Sequence, residues 1–333
     1  MRGLNAQKYY KENHTMKKLT ALLLCALLAL SALVLVGCGD TKEEELKLGL
    51  GVYSTATAKD ADGETKGSAE AVITAAAVLV DKDGKIVKCV LDVADNKVAY
   101  TSDGKAVAND SFKTKYELGD DYGMKNPNYG SAKEWYEHAN AFCTLVEGKT
   151  ASEVKALVAA DGKNTDAVIS AGCTIAAEEF VKAVEAAVAN AKDSAATKST
   201  TLKLGMATTQ TVKDAAEEKA GSNKVATDIF AAAVDAEGKI VAATNETVEV
   251  DFTFDATGKS TFDATKAVEG KREKGDAYGM KSPYGSTKEW YEHADAFVAA
   301  CIGKKAGEIT TDLQVAGCTI AVDGFVKAAA KIG

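Results

Sequence analysis

Residues 119–142 read GDDYGMKNPNYGSAKEWYEHANAF and residues 275–297 read GDAYGMKSPYGSTKEWYEHADAF; with one gap, 19 of 23 aligned positions are identical. The correspondence runs backward through Leu46-Lys47-Leu48-Gly49 with Leu202-Lys203-Leu204-Gly205, and through Asp83-Gly84-Lys85-Ile86-Val87 with Glu237-Gly238-Lys239-Ile240-Val241. It runs forward to Ala171-Gly172-Cys173-Thr174-Ile175-Ala176 with Ala316-Gly317-Cys318-Thr319-Ile320-Ala321. A duplication on this scale makes each unit a whole domain. The expected units are 46–190 and 202–333, with residues 191–201, inside the Ala-, Lys-, Ser- and Thr-rich stretch Ala189 to Thr201, as the linker.

Within a unit, strands come first and helices after. Val72 to Val80 and Ile86 to Val93 are β-branched apolar runs flanking Asp81-Lys82-Asp83-Gly84, a hairpin signal, and Phe230 to Val234 with Ile240 to Ala243 repeat it around Ala236-Glu237-Gly238. Ser131 with Glu134, and Ser286 with Glu289, have the S-x-x-E spacing of a capping box and predict helix starts at the two serines. Trp135, Ala139, Phe142 and Val146 then recur at helical spacing as one apolar stripe. A last helix is expected directly after Thr174, with Phe180, Val181, Val184 and Val188 as its buried side. The implied class is α+β: an antiparallel sheet with helices packed on it, built twice.

The N-terminus reads as a leader. Lys17 and Lys18 precede an apolar run from Leu19 to Val36, which approaches the ~20 residues that span a bilayer. The positive cluster lies only on its N-terminal side, and the run stops at Leu35-Val36-Gly37-Cys38, so residues 1–37 are expected to be a signal peptide starting at Met16. Leu-Val-Gly-Cys resembles the lipobox of bacterial lipoproteins. That resemblance implies cleavage before Cys38, a diacylglyceryl group on its thiol, residues 38–45 as a tether, and residence at the extracellular face of the bacterial cytoplasmic membrane.

With 40 basic against 48 acidic residues the chain lacks a nucleic-acid footprint. Without the leader's five basic residues and one acidic residue, 35 stand against 47, a net charge of about −12. Of seven cysteines, Cys25 leaves with the leader and Cys38 takes the lipid, so Cys89, Cys143, Cys173, Cys301 and Cys318 remain. Five is odd and no Cys-x-x-Cys pair exists, which favours small buried thiols and leaves room for one unassigned disulfide.

Few residues carry obvious chemistry. The mature chain has two histidines, His138 and His293, and sequence spacing offers each only Glu134 or Glu289 four residues earlier, short of the three or four ligands a metal wants. No Gly-x-Ser-x-Gly, Walker loop or Gly-x-Gly-x-x-Gly occurs. In the Gly-Asp-x-Tyr-Gly-Met-Lys segments, Tyr122, Met124, Tyr278 and Met280 either turn the chain or line a flat apolar pocket, and Trp135 and Trp290 are either helix core or part of that pocket. Thr174 and Thr319 follow glycine and precede an apolar-periodic helix, so each reads as an N-cap or as an anion site at a helix N-terminus.

The unit resembles the FMN-binding domain of bacterial flavoproteins. There a strand pair around an acidic-Gly-Lys-Ile turn precedes an Asp…Ser-Gly-Ala-Thr motif, whose threonine receives FMN through a phosphoester. Asp166 with Gly172-Cys173-Thr174, and Asp312 with Gly317-Cys318-Thr319, look like that motif, with cysteine in place of alanine. The tandem arrangement behind a lipobox is similar to the lipoproteins of Gram-positive extracellular electron transfer. The resemblance implies two covalent FMN groups on Thr174 and Thr319, attached by a flavin transferase. It further implies a membrane quinol or NADH dehydrogenase-type electron donor and an extracellular acceptor such as ferric iron. A solute-binding or adhesive surface lipoprotein is the alternative that the repeated Trp-Tyr pairs also fit, and an enzyme acting on extracellular substrates is the third.

Overall fold

A computed structural model describes residues 43–127, 130–281 and 285–333. The expected leader, Cys38 and the tether up to residue 42 lie outside the described residues. In the first copy β1 (Leu46–Lys59), β2 (Gly67–Val80) and β3 (Ile86–Tyr100) form an antiparallel meander, extended by the short β4 (Ala106–Val107) beside β3 and by β5 (Lys192–Ala196) beside β1. The second copy repeats the meander as β6 (Thr201–Lys213), β7 (Gly221–Val234) and β8 (Ile240–Phe254). The hairpin signals hold: Asp81 Oδ1 accepts from the N–H groups of Asp83 and Lys85 at 3.0 and 2.8 Å, and Asp235 Oδ1 does the same for Glu237 and Lys239. Even the irregularity one residue before each turn is shared, at Leu79/Val80 and at Ala233/Val234.

Alternate residues of the central strands serve different layers, because successive side chains of a strand point to opposite faces. Ala75, Ala77 and Leu79 join a core shared with Ile229, Ala231 and Ala233 of the other sheet. Ala76, Val78 and Val80 pack instead under the first copy's helices, and Phe230, Ala232 and Val234 under the second's. The molecule is thus helices, sheet, sheet, helices, with both faces of β2 and β7 buried. That is why those strands read as unbroken apolar runs.

This arrangement corrects the expectation of two self-contained domains. The inner face of each sheet is apolar and has no helix of its own to cover it, so the copies bury those faces against each other and residues 45–333 form one compact unit. Polar groups cross the same boundary: Asn96 Nδ2 donates to Thr227 Oγ1 at 3.0 Å, and Asn223 Nδ2 to the Ala99 carbonyl at 3.1 Å. The linker is corrected too. Lys192–Ala196 is β5, which satisfies backbone groups at the start of β1 through the pairs Leu46 with Ala196 and Leu48 with Lys192.

The helices of each copy cover the outer faces. Trp135–Val146 and Trp290–Cys301 begin four residues later than the serine spacing suggests. The capping acid lies further on: the Glu134 N–H donates to Glu137 and the Glu289 N–H to Glu292, each at 2.8 Å. Helix Glu178–Ala189 lies directly on β1, so close that a Cβ on Gly49 would stand 1.9 Å from the Ala187 carbonyl oxygen; Gly205 meets Ala328 the same way at 2.2 Å. This contact leaves no room for a side chain at the glycine of either Leu-Lys-Leu-Gly segment. Cys89, Cys143, Cys173 and Cys301 are buried, Cys318 is partly so, and all five are free thiols. Among the described residues no helix is long and apolar enough to cross a membrane.

Candidate functional site

Thr174 sits in the loop between helices Asp166–Ser170 and Glu178–Ala189, and its side chain is exposed. The following helix starts four residues downstream with Ala177 at the cap position, so Thr174 is not an N-cap and no helix N-terminus is aimed from its backbone. Thr319 is likewise exposed and likewise four residues ahead of helix Asp323–Ala330. What holds each threonine is a frame from the repeated block upstream.

In the first copy His138, 1 % exposed, accepts the Thr174 N–H on Nδ1 at 3.2 Å and bonds Ser131 Oγ through Nε2 at 3.2 Å. Ser131 Oγ donates to the Lys133 carbonyl at 2.6 Å, which leaves its lone pairs to receive Nε2–H. Nδ1 lies 3.2 Å from the Gly172 carbonyl oxygen as well as from the Thr174 nitrogen, so the ring is held between an acceptor and a donor of the same loop. Burial, the largest influence, holds the imidazole below its ordinary pKa, and the Lys133 charge acts in the same direction. Lys133 Nζ donates to the Gly172 carbonyl at 3.0 Å. Gly172 has φ +99°, and a Cβ there would stand 2.4 Å from that ammonium. The backbone angle favours glycine, and a Cβ would also push the lysine end off the Gly172 carbonyl.

The second copy rebuilds the frame residue for residue. The Thr319 N–H donates to His293 Nδ1 at 3.3 Å, His293 Nε2 meets Ser286 Oγ at 3.3 Å, and Lys288 Nζ donates to the Gly317 carbonyl at 2.7 Å. Sequence reading missed this frame, pairing His138 with Glu134 along one helix. Glu134 instead turns away, and its carboxylate accepts the N–H groups of Met124 and Lys125 at 2.8 and 3.1 Å; Glu289 does so for Met280 and Lys281 at 2.8 and 3.3 Å. The signal was present: Ser131, Lys133 and His138 are all among the identical positions of the duplicated block.

Those bonds fix the Gly-Asp-x-Tyr-Gly-Met-Lys segments against the helices. Tyr122 and Met124, and Tyr278 with Met280, are partly buried at the edges of the two outer cores, with Lys115 Nζ 5.3 Å from the Tyr122 ring and Lys271 Nζ 5.1 Å from the Tyr278 ring. Trp135 and Trp290 are core, each 3 % exposed and edge-on to Phe180 or Phe325 at 5.9 and 5.7 Å. Cys173 is fully buried, and burial pushes its thiol up to about 11, so it is a packing residue and a poor nucleophile. Asp166 opens its short helix and Asp312 stands in a turn, both exposed; among the described residues neither carboxylate is bonded to its threonine loop. Among the described residues no three His, Cys, Asp or Glu side chains converge as metal ligands.

Part of the chain is similar to the chlorophenol reductase of Desulfitobacterium hafniense, 35% identical over 122 residues. That stretch is 33% of this chain and 37% of the reductase, so the chain spans little more than a third of its relative. No family model matches the sequence and no solved structure matches it.

Proposed function

We propose that this chain is a flavin-bearing electron carrier built from two FMN-binding-type units, with one FMN joined by a phosphoester to Thr174 and one to Thr319. The observation that carries this reading is the pair of exposed threonines, each held through its backbone N–H by a buried histidine and flanked by a lysine, with these bonds present in both copies. The residues fit the group. An accessible hydroxyl is what a transferase needs, the ammonium of Lys133 or Lys288 stands in the same loop to offset a phosphodiester charge, and Tyr122 with Met124, or Tyr278 with Met280, gives partly buried apolar surface for a ring.

The bound flavin supplies reversible oxidation and reduction, which the side chains by themselves do not. The protein's work is positional. His138 and His293 fix the threonine backbone, and neither is placed to move a proton at the exposed hydroxyl, because both ring nitrogens are already engaged. The similarity to a protein named as a reductase supports a redox role. Anchoring through Cys38 at the outer face of the cytoplasmic membrane, a membrane quinol or NADH dehydrogenase-type donor, and an acceptor such as ferric iron complete the proposal. The excess of acidic residues would slow encounter with anionic acceptors and favour cationic ones, an effect that salt weakens.

The test is co-expression with a flavin transferase. Denatured protein should keep flavin absorbance, Thr174→Ala and Thr319→Ala should each remove one flavin mass, and the double variant both. Cells carrying the double variant should retain the protein and lose reduction of external ferric iron. Colourless protein after co-expression, or flavin mapped to other residues, would overturn the proposal and put a solute-binding lipoprotein first.

A further inference from the structure

A cleft of ≈ 880 Å³ opens where the edge of β8 faces β1 and β5, away from both threonines. Its lining is apolar in part, with Leu48, Leu50 and Val241, and polar in part, with Asn245, Glu246 and Arg272. The duplication provides an internal control. The sheets pack with the third strand of each copy near the first strand of the other, so β3 and β6 frame an equivalent place. There Lys331 Nζ pairs with the Glu117 carboxylate at 2.7 Å and Lys88 Nζ donates to the Thr200 carbonyl, bridging the two copies.

On the open side the residue matching Lys331 is Ala186 and the one matching Glu117 is Glu273, and both line the cleft. The ion pair that bridges one side has no counterpart on the other. Leu91 and Tyr116 are matched by Asn245 and Arg272, so the cleft has gained polar groups where the first copy has an aliphatic and an aromatic one.

Asn245 points to a ligand. It is 1 % exposed; its Oδ1 accepts from Arg272 Nη2 at 2.9 Å, and its Nδ2 has no partner. Arg272 only donates, so the amide is locked with Nδ2 as an unused donor, an expensive thing to bury. Arg272 is itself engaged, by the Asn245 carbonyl at 2.8 Å and by Asp295 at 2.8 Å. Its positive charge is therefore offset, and the lining's other cation, Lys192, stands among the acidic Asp193, Glu246 and Glu273, so acidic groups are in excess. An anion is unwelcome in such surroundings, whereas an uncharged acceptor oxygen suits Nδ2. The volume lies in the range of small-molecule sites, ~300–1,000 Å³.

We infer that this cleft binds a flat, uncharged ring carrying a carbonyl oxygen, the chemistry of a quinone, with the oxygen on Asn245 Nδ2 and the ring against Leu48 and Leu50. The inference rests on the quinol-donor part of the proposed function and not on the flavin attachment, so its test uses the full chain made without a flavin transferase. Equilibrium dialysis with 2-methyl-1,4-naphthoquinone measures binding, and circular dichroism verifies that each variant is folded. Ala186→Lys places opposite Glu273 the cation that bridges the other side, and Asn245→Leu restores the aliphatic residue found there. Each should weaken binding by about tenfold or more, and a sulfonated naphthoquinone should bind the wild type more weakly than the uncharged one. Absence of binding to the wild type overturns the inference, as does wild-type affinity in whichever of the two variants folds.

Discussion

Tyr100 and Phe254, which occupy the same position in the two copies, stack face to face with ring centroids 4.4 Å apart and planes 5° from parallel. Each ring also covers a glycine of its own sheet, Gly67 or Gly221, where a Cβ would stand 2.2 or 2.4 Å from the ring edge. The pair belongs to the core between the sheets and joins the halves through a contact between equivalent positions.

Because that core is shared, the halves should not survive separation. Fragments 43–197 and 198–333 are expected to aggregate when expressed alone, each exposing the apolar inner face of its sheet. Phe254→Ala in the full chain should cost ~3–5 kcal/mol and keep one cooperative transition. Tyr100→Phe should cost about 1 kcal/mol, the bond from its hydroxyl to the Lys59 carbonyl. Urea denaturation followed by fluorescence and by circular dichroism checks both, and two separate transitions would contradict the shared core.

The threonine frame can be damaged in one copy at a time. Gly172→Ala forces a Cβ into a backbone with φ +99°, at a strain of ~1–3 kcal/mol, and displaces the Lys133 ammonium. In co-expressed protein, flavin per chain should fall from two toward one, with the loss confined to the Thr174 peptide. Lys133→Met should lower occupancy of Thr174 less severely, since the backbone of the loop is kept. Mass spectrometry of tryptic peptides reads both outcomes.

Two buried carboxyls set a pH dependence. Burial is the main cause that pushes Asp92 up to about 6 and Asp228 up to about 6, although Asp92 accepts the N–H groups of Val93 and Tyr116, and Asp228 the Thr247 hydroxyl. An unfolded aspartate titrates near ~3.9. Between these values the folded chain holds more protons than the unfolded one, so these groups lower stability as pH rises from about 4 to about 6. The effect is at most ~3 kcal/mol per group. Asp92→Asn and Asp228→Asn should remove that fall, and the difference between wild type and variant, from urea melts across the range, should flatten above pH 6.

Much of this fold was legible in the residues. The duplication, the acidic-Gly-Lys-Ile hairpins and the apolar runs of β2, β3, β7 and β8 are local patterns with local causes, and the α+β class follows from them. The helix starts were misread because Ser131 and Ser286 have the spacing of a cap while their hydroxyls are bound to Lys133 or Lys288 and to a histidine. The final helices were placed too early because Thr174 and Thr319 have the residue type of a cap, and only the loop path shows four residues between them and the helix. One exchange between the copies was invisible as well. In the first, Glu179 of the helix accepts from Thr74 of the strand, whereas in the second the acid is Asp228 on the strand, and Gly324 leaves room for it.

The sequence by itself determined that one unit is written twice, that each unit runs from strands to helices, and that a Gly-Cys-Thr sequence recurs in the same setting. Those features depend on neighbours within a few residues or on identity between copies. Only the tertiary structure decided that the copies share a core, that Lys192–Ala196 is a strand, that His138 and His293 hold the threonine loops, and that an ion pair bridges one of two equivalent places. Each of these depends on contacts between residues far apart in the chain, such as Lys331 with Glu117, whose energies no local pattern encodes.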